Sequence, residues 1–192
     1  MSSLLDHIEI YDDVMSREAI ENFLSFIKKN KFNLAGVVND KSKTSYDKKS
    51  RDCYTLSLSN EAKNLAVVHW ANFYTKFFVK QITEYKKNLN LNYLTMNKIT
   101  SIEVLKYKKE GHFHPHTDHN PFIPRTLSCI FMLNDGYEGG DLLFYDPSGE
   151  NNILKINPRA GRLIIWPSSH LFPHAVSPVT NGERYTVVCW TL

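Results

Sequence analysis

Apolar positions along this chain change their period near residue 98. Before it they recur at helical spacing. Ile20, Phe23, Leu24 and Ile27 follow Ser16, which predicts an N-cap with Glu18 in the first turn. A second helix is predicted from about Glu61 to Asn88, with Leu65, Val68, Trp70, Phe73, Phe77 and Ile82 among its apolar positions. After residue 98 come short runs rich in β-branched and aromatic residues, at 101–107, 126–133, 141–145, 162–166 and 185–191. Turn residues separate them: Asn134-Asp135-Gly136, Gly139-Gly140, Pro147-Ser148-Gly149 and Asn181-Gly182. Short strands at this spacing, with no α/β alternation and no internal repeat, predict a sandwich or jelly roll. The expected fold is mainly β, a double-stranded β-helix core with N-terminal helices packed against it. Residues 1–192 are read as one domain, with 1–97 a helix-rich support carrying the first strands and 98–192 the jelly roll.

Between the two helices, residues 39–51 are polar, lysine-rich and without apolar anchors. That segment reads as a mobile loop, with a plain connector and a functional lid both open. Its cluster of Lys41, Lys43, Lys48, Lys49 and Arg51 accounts for part of a net charge of only +3, and is read as solvated rather than as a nucleic-acid surface. With 42% hydrophobic and 22% charged residues, a chain of this length can form a core without staples. Three cysteines are too few and odd in number for a disulfide framework, and Cys129 and Cys189 lie inside apolar runs, where a thiol packs as a small hydrophobe. No secretory leader or membrane-length apolar stretch is visible, so the expectation is a cytoplasmic protein with no membrane and no nucleic-acid partner.

The densest polar cluster is Gly111-His112-Phe113-His114-Pro115-His116-Thr117-Asp118-His119. On an extended segment His116 and Asp118 share a face. An imidazole and a carboxylate there, with one distal imidazole, form the facial triad of non-haem iron, which leaves coordination positions open. The distal imidazole is expected on a later strand, and His174, in Pro173-His174-Ala175-Val176, is the candidate. A single His-x-Asp among eight histidines carries little weight alone. The added support is its place at a strand end and a second histidine in the same β-rich half. His112, His114 and His119 remain rivals for the near position and His170 for the far one, and zinc remains the alternative metal. Arg184 opens the last strand ten residues after His174, and Thr186 shares its face. An arginine entering a buried strand requires an anionic partner, and its fork suits a carboxylate.

The ordered set of these residues resembles the 2-oxoglutarate/Fe(II) dioxygenases, and within them the prolyl 4-hydroxylase-like branch. The run is Tyr107 and Gly111 leading to Pro115-His116-Thr117-Asp118, then Arg125-Thr126-Leu127-Ser128, Leu133-Asn134 and Gly139-Gly140-Asp141-Leu142 with Phe144. It continues through Gly161 to Pro167, then His174-Ala175-Val176 with Pro178-Val179, and closes with Gly182, Arg184-Tyr185 and Trp190. It covers roughly residues 98–192.

The resemblance implies that His116, Asp118 and His174 hold Fe(II), and that Arg184 clamps the far carboxylate of 2-oxoglutarate. It implies that Tyr107 lines the cosubstrate pocket, and that Arg125 and Trp190 face the substrate. O2 is the oxidant and ascorbate an auxiliary reductant. The segment 39–51 matches the place of a substrate-closing loop. One departure stands out. The position before Leu133-Asn134 is commonly a tyrosine bonded to the far carboxylate, and here it is Met132, with Thr186 as a possible replacement donor. Retention of Asp118 argues against halogenation, and the lack of an arginine after Arg184 argues against alkylated-base demethylation. The expected reaction is hydroxylation of a prolyl residue in a peptide or protein, with release of succinate and CO2. The alternatives are hydroxylation of a free amino acid or other small molecule, and a cupin-like metal-binding protein without turnover.

Overall fold

Residues 3–38, 44–95 and 98–192 are described by the computed structural model. After a 3-10 turn at Leu4–His7 come β1 (Glu9–Tyr11), α1 (Arg17–Ile27), β2 (Asn33–Leu34), β3 (Val37–Val38), β4 (Thr44–Ser45), β5 (Tyr54–Leu58) and α2 (Leu65–Asn88). The remainder is β: β6 (Ile99–Tyr107), β7 (Phe113–His116), β8 (Leu127–Met132), β9 (Glu138–Gly139), β10 (Leu142–Tyr145) and β11 (Asn152–Ile156). It closes with β12 (Leu163–Pro167), β13 (His174–Val176), β14 (Val179–Asn181) and β15 (Arg184–Thr191).

Both helices begin at side-chain caps. The Ser16 hydroxyl accepts from the Ala19 amide at 3.3 Å, and the Asn64 side chain accepts from the Ala66 amide at 2.9 Å. From α1, Ile20, Phe23 and Ile27 are buried; from α2, Val67, Ala71, Tyr74, Phe78, Ile82 and Tyr85 form one buried stripe at helical period.

Seven strands pair antiparallel in the order β1-β12-β8-β15-β6-β5-β2, and four in the order β11-β10-β13-β7. This is the jelly-roll core with N-terminal helices that the hydrophobic pattern predicts. The larger sheet's central strands β12, β8 and β15 are buried on both faces, so they read as near-continuous apolar runs. On β15, Tyr185, Val187 and Cys189 pack toward the helices, with Cys129, Phe131, Leu163 and Ile165. Val188 faces the other way, into the space between the sheets, with Ile130, Met132, Ile164 and Trp166. Strand alternation sends Arg184, Thr186 and Trp190 to that same inner side. Pairing then lays inner residues in rows, Tyr107 beside Arg184 and Leu105 beside Thr186 beside Met132.

Several short strands were not signalled by the pattern. β11 is one of them: an edge strand, exposed at Asn152, Ile153 and Lys155. Of the segment 39–51, residues 39–43 lie outside the described residues. Beyond them β4 pairs with β3, and Arg51 forms a β-bridge with Phe113. All three cysteines are buried and unbonded to one another, as expected for packing thiols. Among the described residues no helix is long and apolar enough to cross a membrane.

The helices hold the sheet through an aromatic cluster. The Phe77 ring centre lies 5.1 Å from that of Phe131, and Phe23 lies 4.6 Å from Tyr74. Phe131 is fully buried in the sheet face that they cover. Phe131→Ala should cost about 3–5 kcal/mol, read as a lower urea midpoint with an unchanged slope. A loss below about 1 kcal/mol would mean that this interface does not carry the fold.

Candidate metal centre and active site

Two neighbouring strands of the smaller sheet set the centre. β13 pairs with β7 so that His174 stands directly opposite His116. β7 is the sheet's edge strand, which is where Pro115 is tolerated, since an edge does not need its missing N–H. Each imidazole is oriented by its own backbone. His116 Nδ1 lies 2.8 Å from the His114 carbonyl, and His174 Nδ1 lies 3.1 Å from the Phe172 carbonyl. A carbonyl can only accept, so both Nδ1 atoms carry the proton and both Nε2 lone pairs are free. They point at Asp118, with Nε2 to carboxylate distances of 4.0 Å for His116 and 3.4 Å for His174.

Asp118 lies just past the end of β7 and is only 7% exposed. The Ser128 hydroxyl donates to its Oδ2 at 2.7 Å, and Arg125 Nη1 lies 3.4 Å from its Oδ1. Ser168 in turn lies 2.7 Å from Ser128. Burial raises the Asp118 pKa, but the two imidazoles, the Arg125 guanidinium and the Ser128 hydrogen bond outweigh it and hold the carboxyl below its usual range. Burial first, and then the neighbouring His174, push the His116 pKa down to about 3. At neutral pH the cluster is therefore a carboxylate with neutral His116, which is the ligand form. One ligand atom from each of His116, Asp118 and His174 lies within 4.8 Å of the others, so these three could hold a metal ion.

The centre borders a cavity of about 340 Å³ whose lining includes His116, Asp118, His174, Tyr107, Arg125 and Trp190. The Arg125 guanidinium sits 3.8 Å above the Trp190 ring, and its Nε is buried without a partner. Phe113 stacks on the His116 ring at 3.6 Å, and the Arg51 guanidinium covers Phe113 at 4.6 Å. Arg51 also lines the cavity and donates to Cys53 Sγ at 3.1 Å and to the Gly36 carbonyl at 3.0 Å. The reading of Arg51 as part of a solvated cluster is therefore wrong. Its burial depends on Phe113, a partner far away in sequence.

Arg184 is 0% exposed and lies behind Tyr107, with its guanidinium carbon 5.0 Å from the ring centre. Nη1 donates to Thr186 Oγ1 at 3.3 Å, while Nε and Nη2 have no partner. Burial, with Cys53 nearby, pushes the Tyr107 phenol well above its ordinary range, so it stays a protonated donor. A buried guanidinium with two free N–H groups matches the far carboxylate of a dicarboxylic oxo acid, and two imidazoles with one carboxylate match a divalent metal. The residues present fit both groups.

Of the rival histidines, His119 borders the same cavity, with its Nδ1 held by the Arg125 carbonyl; His112 is held by the Glu110 and Lys49 carbonyls, and His114 and His170 are exposed. Sequence reasoning passed over Ser128 as the support of Asp118. The available signal was one hydroxyl on the inner face of an otherwise apolar strand.

Residues 102–192 match the family model described as the 2OG-Fe(II) oxygenase superfamily. The chain is 38% identical to human prolyl 3-hydroxylase 3 over 66 residues, 34% of its length. It is 45% identical to a PKHD-type hydroxylase of Xylella fastidiosa (strain M12) over 76 residues, 38% of its length. The matches span only 9% and 31% of those proteins. In fold it is similar to a Trichoplax adhaerens prolyl hydroxylase solved with a hypoxia inducible factor peptide fragment. The TM-score is 0.74 at 17% identity, covering 97% of this chain and 83% of that one. The jelly-roll half of the chain is thus similar to the 2OG-Fe(II) oxygenase superfamily.

A ligand that binds only the folded state raises its stability by about 2.7 kcal/mol at a hundredfold excess over Kd. Iron(II) should therefore raise the Tm of the wild type, and His174→Ala should abolish the shift. An equal shift in that variant would place the metal elsewhere.

Proposed function

We propose that this chain is an Fe(II)- and 2-oxoglutarate-dependent dioxygenase that hydroxylates a prolyl residue in a peptide or protein. The observation that carries the reading is a pair of complementary groups on the inner side of one jelly roll. Two free Nε2 atoms and a buried carboxylate border the cavity, and a buried guanidinium with unpaired N–H groups lies against Tyr107, which lines the same cavity.

Iron(II) and 2-oxoglutarate, when bound, supply the chemistry by which O2 is split between the substrate hydroxyl and succinate, with CO2 released. The protein's own part is positioning. His116, His174 and Asp118 hold the metal, and the two backbone-bonded Nδ1–H groups keep the imidazoles in the ligating tautomer. Ser128 fixes the carboxylate through Oδ2. Arg184 with Thr186 holds the far carboxylate, and Tyr107 forms the wall between that anchor and the cavity. Arg125, stacked on Trp190 beside Asp118, would meet a substrate carbonyl in the cavity. Such placement excludes water and fixes the C–H bond that is attacked. The prolyl assignment draws on the sequence relatives, which are named as prolyl and PKHD-type hydroxylases.

A second reading, hydroxylation of a free amino acid, draws on Arg51 and Arg125. Both guanidinium groups border the cavity and could receive a small substrate's carboxylate.

Mass analysis of a panel of proline-containing peptides, incubated with the enzyme, iron(II) and 2-oxoglutarate, separates the two. Addition of one oxygen atom to a prolyl residue is expected, and it should vanish in His116→Ala and Asp118→Ala. Arg184→Ala should chiefly raise the 2-oxoglutarate concentration needed. Oxygenation of free amino acids with every peptide untouched would replace the prolyl reading by the second. Wild-type turnover in Asp118→Ala would overturn the centre itself.

A further inference from the structure

Arg184 is not the only buried donor left without a partner on the inner side of the jelly roll. The hydroxyl of Tyr137 is also buried without a hydrogen-bond partner. Tyr137 lies in the turn between β8 and β9, and its side chain and that of Arg184 converge. A methyl group built on Gly140 would meet Arg184 Cδ and Tyr137 Cε2, each at 3.0 Å. Gly140 adopts φ +65°, a conformation that already favours glycine, and its bare Cα leaves room for both side chains. Gly182 crowds Tyr137 from the other side, with a built methyl 3.0 Å from Tyr137 Cβ. The ring is thus held in place by two close backbone approaches.

A guanidinium has no lone pair, so the Tyr137 O–H cannot donate to Arg184. Its proton, like Arg184 Nε–H and one Nη2 edge, is left for a third group. A carboxylate, which accepts through two oxygens, matches these three unpaired donors. Met132, fully buried and paired with Thr186, offers no donor at all.

Resting on the oxygenase reading above, we propose that Tyr137, reaching in from the β8–β9 turn, donates to the far carboxylate of 2-oxoglutarate alongside Arg184. It supplies the phenol that position 132 lacks. Burial pushes the Tyr137 phenol up against the opposing pull of Arg184, so the group remains protonated and can donate. Tyr137 is a binding residue for the cosubstrate and takes no part in metal ligation.

Anaerobic titration calorimetry on the iron(II)-loaded protein tests this, with 2-oxoglutarate and 2-oxobutyrate as probes, the latter lacking the far carboxylate. Tyr137→Phe should bind 2-oxoglutarate about tenfold more weakly, a difference of about 1.4 kcal/mol. Its affinity for 2-oxobutyrate should be unchanged. The Tm of that iron-loaded variant without oxo acid should not fall, because the hydroxyl removed has no partner to lose. Unchanged 2-oxoglutarate affinity would overturn the proposal, as would equal weakening for both probes or a lowered Tm, which would mark a structural role. Arg184→Ala is the control. If wild type and Arg184→Ala differ while Tyr137→Phe matches wild type, Tyr137 alone is refuted. If wild type binds no 2-oxoglutarate, the oxygenase reading falls and takes this proposal with it.

Discussion

A carboxylate held in the interior between two imidazoles is the constraint that organises this molecule. Asp118 is almost fully buried, and an ionised carboxyl there requires compensation. Ser128 and Arg125 give part of it, through one short and one long contact. The imidazoles add to it only when protonated, and when neutral they face the carboxylate with their Nε2 lone pairs. An arrangement of three acceptors facing one another is unfavourable by itself and becomes favourable around a cation. The cost is built into the fold because the β7–β13 register sets the two histidines directly opposite each other.

The same logic recurs at Arg184. There the unmet charge is positive, the guanidinium is buried, and two of its N–H groups have no acceptor. The two imbalances have opposite sign and lie on the inner side of the same jelly roll, so a ligand bridging them must present a metal-binding face and a distant anion. The helices stay outside this chemistry. They cover the opposite face of the larger sheet with Phe23, Tyr74, Phe77 and Phe78, which leaves the inner side of β6, β8 and β15 to the site residues. The cysteines follow the same division, with Cys129 and Cys189 paired across β8 and β15 on the helix side.

Much of this was legible from residue order. Ser16 marked the start of α1, and the α2 stripe was visible as period. Its N-terminus fell at Leu65 rather than near Glu61 because Asn64, not an earlier residue, forms the cap. The five predicted strand runs all lie on strands, because buried β-branched runs between glycine turns are a strong local signal. The short strands were not readable: β11 is a largely exposed edge, and β13 is three residues long and follows Pro173. His116, Asp118 and His174 could be picked out because strand spacing fixes their side. Arg51 and Tyr137 could not, since each is buried by partners distant in sequence, Phe113 for the first and Arg184 with Gly182 for the second. Tyr137 also lies in a stretch whose Asn134-Asp135-Gly136 signature reads only as a turn.

The central claim is that the His-Asp-His cluster and the buried Arg184 serve one site, the first for a metal and the second for a 2-oxo acid. Succinate formation from 2-oxoglutarate by the purified wild-type protein tests it most directly, with the metal-stripped protein reloaded in parallel with iron(II) or zinc. The account predicts succinate with iron(II) and none with zinc or without metal. Protein that binds iron(II) at His116, Asp118 and His174, yet forms no succinate with or without proline peptides, would contradict it and leave a metal-binding jelly roll without oxygenase turnover.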